Sequence, residues 1–237
     1  MGEYGRHTKQ QVRAERILDV ASELLLRWGY KRVTIEDIAR QADVGTGTIY
    51  LHWKNKEAIF EHVMLREAVA VWRELLQRIY ADPQEVLVHR IMRSMFLIVR
   101  KRPLARAIFT RDTTLLGKLA QGNATKQTQS LMNAQEFMQL LRDLGLLRTD
   151  SNLPVQAYAF SATITGFTLI DPLLTEEDQV SLEEKAEAMA QTIRLAFEPE
   201  VLPTPAILQE QAVPRLTGML EQICEYCEQQ IRERTTR

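Results

Sequence analysis

Apolar residues in this chain recur every three or four positions and do not settle into the alternation of a strand, which restricts it to helices packed on helices. From about Gln11 to Trp28, the residues Ile17, Leu18, Ala21, Leu24, Leu25 and Trp28 fall on one stripe, and Gly29 supplies the stop. Later helices are marked by their ends. Asp82-Pro83 reads as a cap followed by proline at the first helical position, Ser-Leu-Glu-Glu from Ser181 as a capping box, and Gly145 closes the apolar pattern of Leu131 to Leu144. Pro103, Pro154 and Pro172 fall near helix ends. Pro199, Pro203 and Pro205 predict a linker over 199–205, and a last helical segment from about Ile207 to Arg232 is interrupted near Pro214. The expected fold is all-α: an N-terminal three-helix helix-turn-helix head followed by a C-terminal helical bundle.

The head is the most specific part. In VTIEDIARQADVG, Thr34 can cap a second helix while Asp37, three residues on, supplies the acidic partner of a capping box. Ile35, Ile38, Ala39 and Ala42 repeat at helical spacing, and Asp43 and Gly45 permit a tight turn. A third helix is expected from about Thr46 to Trp53. Two short helices across a tight turn, braced by a longer one, make a helix-turn-helix. Val44 and Ile49 would bury the turn, leaving Thr46, Gly47, Thr48, Tyr50 and His52 outside. Asn55 is placed to cap a fourth helix, running from Lys56 to about Tyr80.

Such a third helix must enter the major groove with its N-terminal residues close to bases and phosphates. Small side chains allow that approach. Thr46 and Thr48 offer hydroxyls and methyls, Gly47 removes a side chain that would hold the backbone off the DNA, and Tyr50 can donate its hydroxyl to a phosphate. Lys54 and Lys56 add charge where the next helix begins, and the free amides there also suit an anion.

VTIEDIARQADVGTGTIYLHWKNKEAIF resembles the DNA-binding segment of the TetR (tetracycline-repressor) family of bacterial transcription regulators. The small-Gly-Thr-aliphatic-Tyr core at Thr46 to Tyr50 and the Lys-Asn-Lys-Glu at Lys54 to Glu57 carry the likeness, which covers about the first 60 residues. GLLRTD, from Gly145, resembles the close of a long central helix in that family. The resemblance implies an all-helical homodimer on palindromic duplex DNA, with a variable C-terminal domain that binds a small molecule and supplies the dimer interface. It assigns DNA contacts to Thr34, Thr46, Gly47, Thr48, Tyr50, His52 and Lys56, with Arg6 and Lys9 as an arm into the minor groove. Two residues depart from the pattern. Gly45 stands where a serine often caps the recognition helix, and Leu51 replaces an aromatic or polar residue, to meet a thymine methyl or simply to pack.

The expected domains are 1–55 for DNA binding and 56–237 for ligand binding and dimerisation, with 56–80 as the connecting helix. Charge is nearly balanced, so placement matters more than totals: residues 1–60 carry 10 Lys+Arg against 8 Asp+Glu, and residues 61–237 carry 20 against 23. The polar, basic start is unlike a signal peptide and no segment reaches the apolar length of a membrane helix, so a cytoplasmic protein is expected. Cys224 and Cys227 lack the second pair that a structural zinc site needs and read as helical neighbours. GTGTIY lacks the last glycine and the preceding strand of a nucleotide loop.

Helical-bundle enzymes and protein-binding adaptors are the rival classes, but neither Glu-x-x-His nor H-E-x-x-H occurs, and no catalytic residue, metal or cofactor is expected. Met92, Met95, Phe96, Phe109, Met132, Phe137, Phe160 and Phe167 suit an apolar effector cavity and an ordinary core equally. Asn133 and Thr163 would orient a polar group of such an effector, whose identity is unknown.

Overall fold

The computed structural model describes residues 2–121, 134–175 and 177–235, with only the backbone described for residues 2–9, 121, 134, 234 and 235. The described residues contain helices and no strand. The helices are α1 (Gly2–Trp28), α2 (Ile35–Gln41), α3 (Thr46–Tyr50), α4 (Lys56–Ala81), α5 (Val88–Lys101), α6 (Pro103–Phe109), α7 (Thr113–Leu116), α8 (Ala134–Asp143), α9 (Leu153–Leu169), α10 (Leu182–Phe197) and α11 (Val213–Thr235). Packing divides them into two units. One comprises residues 1–70, 103–128 and 224–237, and the other 71–102 and 129–223.

In the first unit, the predicted stripe of α1 is the core: Ile17, Leu18, Ala21, Leu24 and Leu25 are buried together with Val33, Ile38, Ile49, Trp53, Ile59 and Phe60. Gly29 ends α1 in the left-handed region at φ 74°, its N–H donating to the Leu25 carbonyl at 2.9 Å. The core is completed from far along the chain by Leu104, Ala107, Leu116, Leu119 and Ala120. The Tyr30 N–H donates to the Leu115 carbonyl at 2.8 Å, fixing that later segment against the turn after α1.

Two boundaries differ from the sequence expectation. α1 starts at Gly2 rather than near Gln11, because its first turns are polar and show no apolar stripe, yet contain no proline to break the helix. α3 ends at Tyr50 rather than Trp53. The N–H groups of His52 and Trp53 both donate to the Ile49 carbonyl at 2.9 Å, which tightens the chain into a turn.

In the second unit, α5 packs along α10, and α8 and α9 pack side by side. Ser181 and Glu184 form the full capping box at the start of α10. Just past its other end, the buried Glu198 carboxylate accepts from the His89 backbone N–H and lies against the ring Nδ1, each at 2.8 Å. Asp171 is held by Arg100 and by Lys185 Nζ, the latter at 2.8 Å. Beyond the prolines, Thr204 caps the helical turn Pro205–Ile207, a π-helical turn covers Leu208–Ala212, and α11 follows. Pro214 lacks an N–H, and the wider turn before it accommodates the break.

Candidate nucleic-acid interface

The turn between α2 and α3 is built by local bonds. Thr34 Oγ1 accepts from the Asp37 N–H at 3.1 Å, the Asp37 carboxylate accepts from the Thr34 N–H at 3.1 Å, and the Thr34 hydroxyl donates back to that carboxylate at 2.7 Å. That hydroxyl, first among its partners, holds the Asp37 carboxyl below its usual range. Asp43 takes φ 50°, a conformation that asparagine, aspartate and glycine adopt most readily, and the Val44 N–H reaches the Ala39 carbonyl at 3.0 Å. Arg16 of α1 donates to the Asp43 carbonyl at 3.3 Å, so the long helix clamps the turn.

α3 has two unlike sides. Ile49 is buried, while Tyr50 and Leu51 are 54% and 70% exposed. Thr46 and Gly47 are exposed beside them, and Thr48 is half-buried. A Cβ added at Gly47 or at Gly45 meets nothing within 4 Å among the described residues. Gly45 starts the helix with no side-chain cap, as its departure from the serine pattern implied.

His52 requires a correction. Expected outside, it is 3% exposed, its ring 5.2 Å from that of the buried Trp53, and its Nδ1 has no hydrogen-bond partner among the described residues. Helical spacing carried the signal, since His52 and Trp53 stand three and four residues after the buried Ile49. Burial, with Arg13 as a lesser cause, holds His52 below the ordinary histidine value.

Lys56 also sits differently from a simple phosphate contact. Its half-buried ammonium donates to the carbonyls of Tyr30 and Val33 at 2.8 and 2.9 Å, and lies 4.2 Å from the centre of the Tyr30 ring. Burial first, and nearby Lys118 second, lower its pKa. One of its three protons is left for an outside oxygen. Asn55 Oδ1 caps α4 through the Ala58 N–H at 2.9 Å, and Lys54 is exposed. The Lys118–Glu57 ion pair beside this point was not foreseeable, because 61 residues separate the partners. The side chains of Arg6 and Lys9 lie outside the described residues.

Of the effector candidates, Met95, Phe96 and Phe160 are buried, Phe160 edge-on to Phe197 with ring centres 5.2 Å apart. Met92, Phe137, Thr163 and Phe167 are half-buried, and Phe109 is exposed. The Thr163 hydroxyl donates to the Ala159 carbonyl of its own helix at 2.9 Å. Met132 and Asn133 lie outside the described residues.

Residues 17–63, from α1 into α4, match the family model of bacterial regulatory proteins of the tetR family. The chain is 33% identical over 154 residues to the HTH-type transcriptional regulator YvkB of Bacillus subtilis, covering 65% of this chain and 79% of that one. The chain belongs to the tetR family of bacterial regulatory proteins. It is accordingly a DNA-binding transcriptional regulator and not an enzyme. A second relative, the HTH-type transcriptional regulator YhgD of the same organism, is 27% identical over 129 residues, 54% of this chain and 61% of its own length. Among solved structures, SmeT, the repressor of the Stenotrophomonas maltophilia multidrug efflux pump SmeDEF, is also known as a triclosan complex. That complex superposes with a TM-score of 0.56 at 22% identity, covering 81% of this chain and all of SmeT, a likeness of fold alone. Among the described residues, no helix of this tetR-family chain is long and apolar enough to cross a membrane.

Proposed function

We propose that this regulator is a cytoplasmic repressor that binds a palindromic operator as a homodimer and is released by a small apolar effector. Residues 1–55 form its DNA-binding domain and residues 56–237 its ligand-binding and dimerisation domain. The observation that carries the DNA face is Gly47. Glycine weakens a helix by about 1 kcal/mol relative to alanine, yet among the described residues nothing occupies the place of its missing side chain. The approach of something outside the protein accounts for it, and the neighbouring exposed Thr46, Tyr50 and Leu51 supply hydroxyls and an apolar contact for that surface.

Dimerisation is supported by the second unit. α9 contains no charged residue in 17, and its Val155, Tyr158 and Leu169 are exposed, as is Leu195 of α10. An apolar face of that kind marks a surface that another protein covers. The apolar effector is supported by the buried Met95, Phe96 and Phe160 and by the binding of triclosan to SmeT. α4 is continuous from Lys56, at the DNA face, to Ala81 and contributes residues to both units, which makes it the element through which an effector shifts the heads.

Selection of binding sites from random duplex DNA tests the reading. An enriched palindrome, bound with steeply salt-dependent affinity, is the expected result. A monomer that enriches no sequence overturns it. Effectors found by thermal shift should bind more weakly when operator is present, by about 5- to 150-fold, because linkage is reciprocal. A ligand with equal affinity in both titrations is no inducer.

A further inference from the structure

Trp53 stands three residues past the end of the recognition helix and is 1% exposed, so its indole N–H needs a buried acceptor. The acceptor is His62, itself 4% exposed, nine residues on and two turns into α4. Trp53 Nε1 lies 3.1 Å from His62 Nδ1, and the rings meet edge to face with centres 5.7 Å apart. An indole nitrogen only donates, so His62 Nδ1 must present its lone pair. Ile49 is the buried side of α3 and Trp53 is buried just beyond it, while Thr46, Gly47 and Tyr50 of α3 are exposed. A bond just beyond so short a helix therefore fixes how its exposed residues are presented.

We propose that His62 is a positioning residue for operator recognition, holding α3 against α4 through the Trp53 indole. This rests on the DNA-binding reading of the head. Losing the acceptor leaves a buried N–H unpaired, which costs far more than removing both partners together. The recognition helix then shifts to find a partner, and base contacts suffer while phosphate contacts, which tolerate displacement, persist.

The test is a cycle on the full chain: His62→Leu, Trp53→Phe and the double variant, each titrated against the selected operator and a scrambled duplex of equal length at one salt concentration. A thermal melt of each variant runs alongside. His62→Leu is expected to weaken operator binding about tenfold with binding of the scrambled duplex nearly unchanged. The double variant should lose no more than His62→Leu alone, because the bond is already broken there. Should His62→Leu fail to fold, Trp53→Phe decides alone: reduced discrimination supports the proposal and undiminished discrimination overturns it. Unchanged discrimination in folded His62→Leu, or strictly additive losses in the double variant, also overturns it. A wild-type protein that does not distinguish the two duplexes defeats the DNA-binding reading instead.

Discussion

Replacing Gly47 by alanine should make the protein more stable and worse at binding its operator. The position lies inside α3, and the added Cβ meets nothing within 4 Å among the described residues, so no packing opposes the substitution. The backbone is helical there, and alanine gains about 0.5–1 kcal/mol over glycine in such a place. For a chain of this size, that raises the melting temperature by roughly 1–4 °C. On the DNA side, the methyl stands about 1.5 Å off the backbone. That is enough to lengthen neighbouring hydrogen bonds past their useful range, so affinity for the operator should fall roughly tenfold to a hundredfold, the worth of one good base contact. Gly47→Leu should abolish binding while still folding. Circular dichroism with a thermal melt reads the first effect, and fluorescence anisotropy with labelled operator reads the second. Opposite signs are the essential outcome. A Gly47→Ala protein with wild-type affinity would show that the backbone does not approach DNA there. A destabilised one would mean that the fold itself needs the glycine.

Lys56→Ala should weaken binding to operator and scrambled DNA alike and also lower thermal stability by about 1–3 kcal/mol, because the Tyr30 and Val33 carbonyls lose a charged donor. Thr46→Val or Thr48→Val should instead change the preference among bases, and equal losses on every duplex would remove those threonines from readout. Protonation of His52 is disfavoured by folding, so its contribution to stability is complete above about pH 6.5 and is lost as pH falls below that toward the lowered folded-state value. Melting temperatures between pH 8 and 5 should therefore drop less in His52→Asn than in wild type, and parallel profiles would refute the assignment. Gly117→Ala should destabilise the head by about 1–3 kcal/mol, since Gly117 has φ 54° and a Cβ would sit 3.2 Å from the Tyr30 ring. A melt unchanged from wild type would show that this close approach is not needed.

The sequence by itself determined the helical class and the frame of the head, because the signals involved act within three or four residues. The stripe of α1, the stop at Gly29, the Thr34–Asp37 box and the Asn55 cap are each short-range choices that one helical turn decides. Family likeness then assigned roles to side chains, and there the short range ran out. His52 was read as outward from the helix faces and given a DNA contact by resemblance, although its spacing from Ile49 placed it on the buried side. Lys56 was legible as a cation at the start of α4, but not as the donor to carbonyls 23 and 26 residues earlier. Only the tertiary structure decided that Leu104, Leu116 and Leu119 complete the head's core, that Trp53 finds its acceptor in His62, and that no described residue fills the space beside Gly47. Each of these depends on which distant segments fold against one another, and that is set by the global packing of apolar surface rather than by any local pattern.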